Sequence, residues 1–355
     1  MFKQLIINPG STSTKIAIFY DENVYFELTL RHSVEELKGF NNVYNQLNFR
    51  KNLILKELQE RGIDLKTLDC VVGRGGLLKP IESGIYEVNE LMIQDLKDSH
   101  LGEHASNLGA LLANEITKDL NIKSYIVDPV VVDELQDVAR ISGLKEIPRI
   151  SIFHALNQNA IARKHAALRN RRYEDMNLIV AHLGGGISVG AHRKGRVVDC
   201  ANALNGDGPF SPERSGGLPV GDLIKLCYSG KYTYDELKKK LTGQGGLVSY
   251  LNTNDAREVV ARINKGDEYA RLIYYAMAYQ TAKEIGAMAV VLHGQVDGIL
   301  LTGGIAYDSM FTDWISEKVK FISEIYLYPG DDELRALAEG GLIILRGEEK
   351  PKIYE

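Results

Sequence analysis

Cysteine is scarce. Cys70, Cys200 and Cys227 are the three in 355 residues, and none forms a CxxC pair or lies at metal-ligand spacing from a histidine, which argues against a disulfide framework or a zinc site. An excess of positive charge is missing as well: 42 Lys and Arg stand against 47 Asp and Glu, a net charge of −5. The basic residues are scattered, so there is no field to hold a nucleic-acid backbone. Long apolar runs are also lacking. The start, MFKQLIINPG, offers only Leu5 to Ile7 before Asn and Pro intervene, too little for a signal-peptide core. No stretch approaches the roughly 20 apolar residues of a membrane span. The expectation is a cytoplasmic protein with neither nucleic acid nor membrane as partner.

The chain is long enough for two domains, since single cores stop growing at roughly 250–300 residues. A weak internal repeat supports that division. LIINPGSTSTKIAIFYDENVY (Leu5 to Tyr25) reads as strand, small-residue turn, strand, charged turn and strand, and LIVAHLGGGISVGAHRKGRVV (Leu178 to Val198) repeats this order without a gap. Segments of helical periodicity follow at Asn52 to Arg61 and Ala155 to Leu168, and short apolar strands at Ser124 to Val127 and Gly298 to Leu301. The pattern predicts a duplicated α/β domain, 1–149 and 150–330. A final helix-like segment, 331–355, is expected to join the first half, with an active-site cleft between the halves.

Chemistry concentrates in the turns. In NPGSTSTK (Asn8 to Lys15) a strand runs into glycine, hydroxyl residues and a lysine, and a second strand follows. Converging amides, the hydroxyls of Ser11 and Ser13 and the ammonium of Lys15 suit a phosphate. It is not a Walker loop, because Ile16 to Tyr20 is strand-forming where that loop opens a helix. At the equivalent tip, HLGGGIS places Gly184, Gly185 and Gly186, where the missing Cβ lets backbone approach a ligand. A third glycine turn in ILLTGGIAY, with Gly303, Gly304 and Ile305, follows an apolar strand and suits an adenine or ribose. Arg74 in GRGG and Arg214 in SPERSGG are glycine-embedded forks, fit for a carboxylate and for a phosphoryl oxygen. Asp128 precedes Pro129 and so falls at a strand end, where ligands bind in open α/β sheets.

The order of these turns resembles the superfamily of acetate kinase, sugar kinases, Hsp70 and actin, over nearly the whole chain. Within it the sequence is most similar to the acetate/butyrate kinase family: NPGSTSTK, VDP at Asp128, FHALNQ at His154, HLGGGIS and RSG at Arg214 follow in the family's order. The pattern GRGGLLKP points to its butyrate or branched-chain acid members. The resemblance implies an actin-like (ribonuclease H-like) fold and reversible in-line phosphoryl transfer from ATP, with Mg²⁺, to the carboxylate of a short fatty acid. It also implies assembly as a homodimer or larger homo-oligomer.

By the same resemblance Asp128 is an active-site carboxylate, and His154 lies beside the transferred phosphoryl, with His182 nearby. Asn8 and an acid of GDDEL, Asp332 or Glu333, are linked to Mg²⁺, while Asp255 and Arg257 of NDAREV lie near the adenosine. Acetate kinases carry HRVVHGG where this chain has CVVGRGG. Gly73, replacing a valine of the acetyl pocket, is therefore expected to enlarge an acyl pocket that Phe153 shares. The competing readings are an acetate or propionate kinase, a sugar or polyol kinase, which leaves Arg74 without an anionic partner, and a nucleotide-switched chaperone, which calls for an extra peptide-binding domain.

Overall fold

Leu5, Ile6 and Ile7 are each fully buried, so the strand that carries them is covered on both faces. They belong to β1 (Lys3–Pro9), the centre of a six-stranded sheet in the order β3-β2-β1-β4-β6-β5, with β2 Ser13–Tyr20, β3 Asn23–Arg31, β4 Cys70–Arg74, β5 Ile85–Glu87 and β6 Lys123–Val127. β1, β2 and β3 form an antiparallel meander; β4 and β6 run parallel to β1, and β5 closes the edge antiparallel to β6. This computed structural model describes residues 1–204 and 206–355. The chain divides into one unit of Met1–Val132 with Asp332–Glu355 and another of Asp133–Asp331, where the sequence reading drew its line at 149/150.

In the first unit the helices Leu47–Glu60 and Asn107–Thr117 cover one face of the sheet, burying Ile54, Leu58, Leu108 and Leu111 against Leu5, Ile7, Ile16 and Ile18. Side chains alternate across a strand, so Gln4, Val72 and Val127 face the other way. There the C-terminal helix, Glu333–Leu345, contacts β1, β4 and β6. It comes close because Gly340 and Gly341 carry no side chain: a Cβ on Gly341 would lie 2.1 Å from Gln4 Oε1, and one on Gly340 2.5 Å from Val127 Cγ2.

The second unit repeats the plan. Its sheet has the order β11-β10-β7-β8-β9, with β7 Asn177–Leu183, β8 Ile187–Arg193, β9 Arg196–Cys200, β10 Gly298–Gly303 and β11 Ile325–Pro329. β7, β8 and β9 are the antiparallel meander, and β10 and β11 the parallel additions. Even the irregularities coincide: β2 bulges between Ile18 and Phe19, and β8 between Ala191 and His192, the matching residues of the ungapped repeat. The helix Glu268–Val291 buries Tyr274, Met277 and Ile285 on one face, while Ala162 and Ala166 of the helix Ala155–Leu168 meet Leu178, Val180 and Leu300 on the other. No helix among the described residues is long and apolar enough to cross a membrane.

Candidate active site

In the first unit the register of β1 and β2 sets Asn8 opposite Lys15, so both side chains leave the same face of the sheet. Asn8 is buried and Lys15 exposed. On that face Asn8 Nδ2 donates to Glu333 Oε2 at 2.6 Å, Arg74 Nη1 pairs with Glu333 Oε1, and Arg74 Nη1 approaches Asn8 Oδ1 at 3.5 Å. Glu333 opens the C-terminal helix, and the glycine contacts of that helix carry its carboxylate to the ends of β1 and β4. Asp332, one residue earlier, points elsewhere: it caps the helix by accepting from Arg335 N at 3.1 Å and pairs with Arg335 Nε at 3.0 Å. Of the two acids left open by the sequence, Glu333 is the one that joins Asn8 and Arg74.

Asp128 directly follows β6, at the strand end expected for it, in a left-handed backbone conformation (φ 37°) that aspartate tolerates better than most side chains. It is buried, and its Oδ1 accepts from Ser83 Oγ and Gly84 N, each at 2.7 Å. Gly73 calls for a correction. Its missing side chain faces the helix Asn107–Thr117, where a Cβ would lie 2.2 Å from Gly109 O, so the glycine serves strand–helix contact and does not widen an acyl pocket. Phe153, the other expected pocket residue, is 2% exposed, and its ring belongs to the interior.

In the second unit the triglycine tip joins β7 to β8. Gly186 leaves room for Arg214, since a Cβ there would lie 2.1 Å from the guanidinium Nη1. Arg214 donates to Ala203 O, its Nε has no partner among the described residues, and burial lowers its pKa. Gly184, Gly185, Gly304, Ile305, Asp255 and Arg257 line a common cavity of about 840 Å³, large enough for a nucleoside. Gly304 faces open space, whereas Gly303 (φ 90°) is demanded by the backbone of Leu183, 2.4 Å from where its Cβ would be. Gly303 therefore shapes the turn, and Gly304 and Ile305 face the cavity. Arg257 grips Asp255 through Nε at 2.9 Å and Nη2 at 2.7 Å, which with the Arg257 amide brings the carboxyl down to about 2.

The two histidines converge. His154 precedes the helix Ala155–Leu168, and its ring stacks on that of His182 from the end of β7, centroids 3.8 Å apart. Their protons follow from their partners. Gln158 Nε2 donates to Ser188 O (3.1 Å) and Oγ (2.9 Å), which turns Gln158 Oε1 to His192 Nε2 (3.0 Å), and Tyr173 OH lies 2.6 Å from His192 Nδ1. Burial holds the His192 pKa at about 3, so that ring is neutral. Ser188 Oγ accepts from Gln158 and, at 3.4 Å, from His154 N, so its own hydrogen goes to His154 Nδ1 at 2.7 Å. Neutral His154 therefore carries its proton on Nε2. Asn157 Nδ2 donates to Asp331 Oδ1 at 3.2 Å, leaving Asn157 Oδ1 to accept from His182 Nδ1 at 2.8 Å. With both rings neutral, these partners place the proton on Nε2 of His154 and on Nδ1 of His182. Sequence reasoning singled out the histidines and missed Asn157, Gln158 and Ser188, although all three stand inside the motifs FHALNQ and HLGGGIS.

Two sheets of one connectivity, each opening on an antiparallel hairpin with a tip of small residues, make up the duplicated actin-like fold. The family described as the Acetokinase family matches residues 148–323. The chain is 59% identical to butyrate kinase 1 of Clostridium acetobutylicum over 355 residues, covering 100% of both chains. It is 57% identical to butyrate kinase 2 of the same organism, covering 100% of this chain and 99% of that one. The crystal structure of Porphyromonas gingivalis acetate kinase shares the fold with a TM-score of 0.80 at 17% identity, covering 97% of this chain and 100% of that one. This chain belongs to the acetokinase family.

Proposed function

We propose that the protein transfers the γ-phosphoryl group of ATP to the carboxylate of butyrate or a branched relative, forming an acyl phosphate and ADP, reversibly and in line. The observation that carries this reading is full-length identity of 59% to a butyrate kinase. A carboxylate oxygen attacks the γ-phosphorus as the bond to the β-bridging oxygen breaks. No proton need move, because a fatty acid is ionised near pH 7. Catalysis is then positioning and neutralisation of charge on the equatorial oxygens.

Within that reading, the cavity beside Gly304 and Arg257 takes the adenosine. Gly184 to Gly186 approach the phosphates with backbone. Arg214 and the Nε2 proton of His154 stabilise the transferring group, with His182 beside it. In the first unit Ser11, Ser13 and Lys15 hold phosphate, and Arg74, released from Glu333, orients the acceptor carboxylate. Asp128 is read as shaping the strand end through Ser83 and Gly84. Mg²⁺ suits this donor set, because it keeps most of its waters and needs only one or two protein oxygens beside the phosphates. Glu333 and Asn8 would hold it, and it would supply charge neutralisation of the polyphosphate.

The reading includes a cytoplasmic location and self-association. The apolar side chains of Val220, Ile224 and Tyr228 lie exposed on and beside the helix Val220–Cys227, in keeping with a second copy. The test is acyl phosphate formation, trapped as hydroxamate, across acetate to hexanoate with isobutyrate and with glycerol as control. A maximum of kcat/KM at four or five carbons is expected. A maximum at acetate or propionate removes the acyl-chain assignment, and no hydroxamate from any acid removes the function.

A further inference from the structure

Arg50, on the helix Leu47–Glu60, is 1% exposed, and every group it bonds is neutral. Its Nε and Nη2 donate to Gln46 Oε1 at 3.1 and 2.8 Å, which aims the fork at the β1–β2 turn. Nη1 donates to Gly10 O at 2.8 Å, Ser13 O at 2.9 Å and Thr14 Oγ1 at 3.0 Å, and Nη2 to Ser11 O at 3.2 Å. The remaining turn carbonyl, Thr12 O, accepts from His32 N at 2.9 Å. The turn is thereby sorted by polarity. Its carbonyls from Gly10 to Ser13 are all bonded inward, whereas the amides of Ser11 and Thr12, both exposed residues, donate to nothing among the described residues. Amides gathered on one side of a turn make an anion-binding concavity.

A buried cation is costly unless an anion compensates it. Burial lowers the Arg50 pKa to about 10, which leaves it charged at neutral pH, and no carboxylate acts on it. The nearest titratable neighbour adds no charge, since burial and Arg50 together push His32 down to about 4. The cation therefore stands behind the turn with its balancing charge still to come.

We propose that Arg50 is a positioning residue of the β1–β2 turn: it gathers the turn carbonyls behind, presents the Ser11 and Thr12 amides in front, and is balanced by the polyphosphate they bind. The inference rests on the reading that this turn takes the phosphates of ATP, and its test separates the two. Binding of ADP and of adenosine to the full chain is measured by calorimetry for wild type, Arg50→Lys and Gln46→Leu. Lysine keeps the charge but lacks the fork that spans several carbonyls. ADP affinity is expected to fall about tenfold or more in Arg50→Lys, the loss expected for a weakened charged hydrogen bond, and by less in Gln46→Leu, with adenosine affinity unchanged in both.

Unchanged ADP affinity in folded variants, beside a wild type that binds ADP more tightly than adenosine, overturns the role of Arg50 alone. An equal loss for ADP and adenosine does so too. A wild type that gains nothing from the phosphates removes both the site and the inference. If Arg50→Lys fails to fold, Gln46→Leu decides.

Discussion

The rings of His154 and His182 lie 3.8 Å apart and within 15° of parallel, and their separate Nδ1 partners give the neutral rings opposite tautomers. Ser188 and Asn157, one on each ring, set this arrangement. A donor at His154 Nε2 therefore depends on residues that need not touch a phosphate. Ser188→Ala, which removes the hydrogen given to His154 Nδ1, is expected to lower kcat roughly 10- to 100-fold while changing the KM for ATP little. Steady-state kinetics measure this, and a change confined to KM would show that Ser188 does not steer the ring.

Glu333 and Asp332 are neighbours with separate duties. Glu333→Gln breaks the pairing with Arg74 and is expected to reduce kcat about 10-fold or more. Asp332→Ala removes a helix cap, costing ~1 kcal/mol in urea unfolding, and leaves kcat near wild type. Equal kinetic damage from both would contradict the assignment.

Gly73→Val tests the corrected role of that glycine. Because the new side chain would meet the Gly109 backbone, the variant is expected to lose about 1–3 kcal/mol or more, the usual cost of overpacking. The ratio of kcat/KM for butyrate over acetate should stay as in wild type. A stable protein that has shifted toward acetate would restore the pocket explanation.

Acid should loosen the protein through buried histidines. His32 and His165 are lowered to about 4 and His192 to about 3, in each case chiefly by burial. With an unfolded value near 6.5, the unfolded chain binds more protons than the folded one below that pH. Stability is thus fully present above about pH 6.5 and falls as pH drops toward 4, by up to ~1.4 kcal/mol per pH unit for each histidine. Urea midpoints between pH 7 and 4.5 give the slope, and a flat profile would mean that these rings are protonated in the folded state.

Much of this was legible in the sequence where the signal was local. The repeat of Leu5 to Tyr25 in Leu178 to Val198 holds in the structure down to the position of the bulge, because a hairpin is specified by neighbours in the chain. The two hairpin tips were legible for the same reason. What stayed hidden depends on distant partners. Gly73 and Gly303 look like ligand glycines until Gly109 and Leu183 are seen against them. Arg50 lies just upstream of the stretch read as a helix, Asn52 to Arg61, and nothing local marks its reach to the turn at Gly10. The choice between Asp332 and Glu333 turns on which residue begins the last helix, a matter of one step along the chain.

That last helix has a consequence for synthesis. A ribosome releases residues 1–132 long before 332–355, although both belong to one unit. Until residues 332–355 are made, the sheet face bearing Gln4, Val72 and Val127 lacks its cover, and Arg74 lacks its acid. The nascent chain thus carries an unfinished half through the making of the other, and the carboxylate of Glu333 arrives only after that second unit is complete.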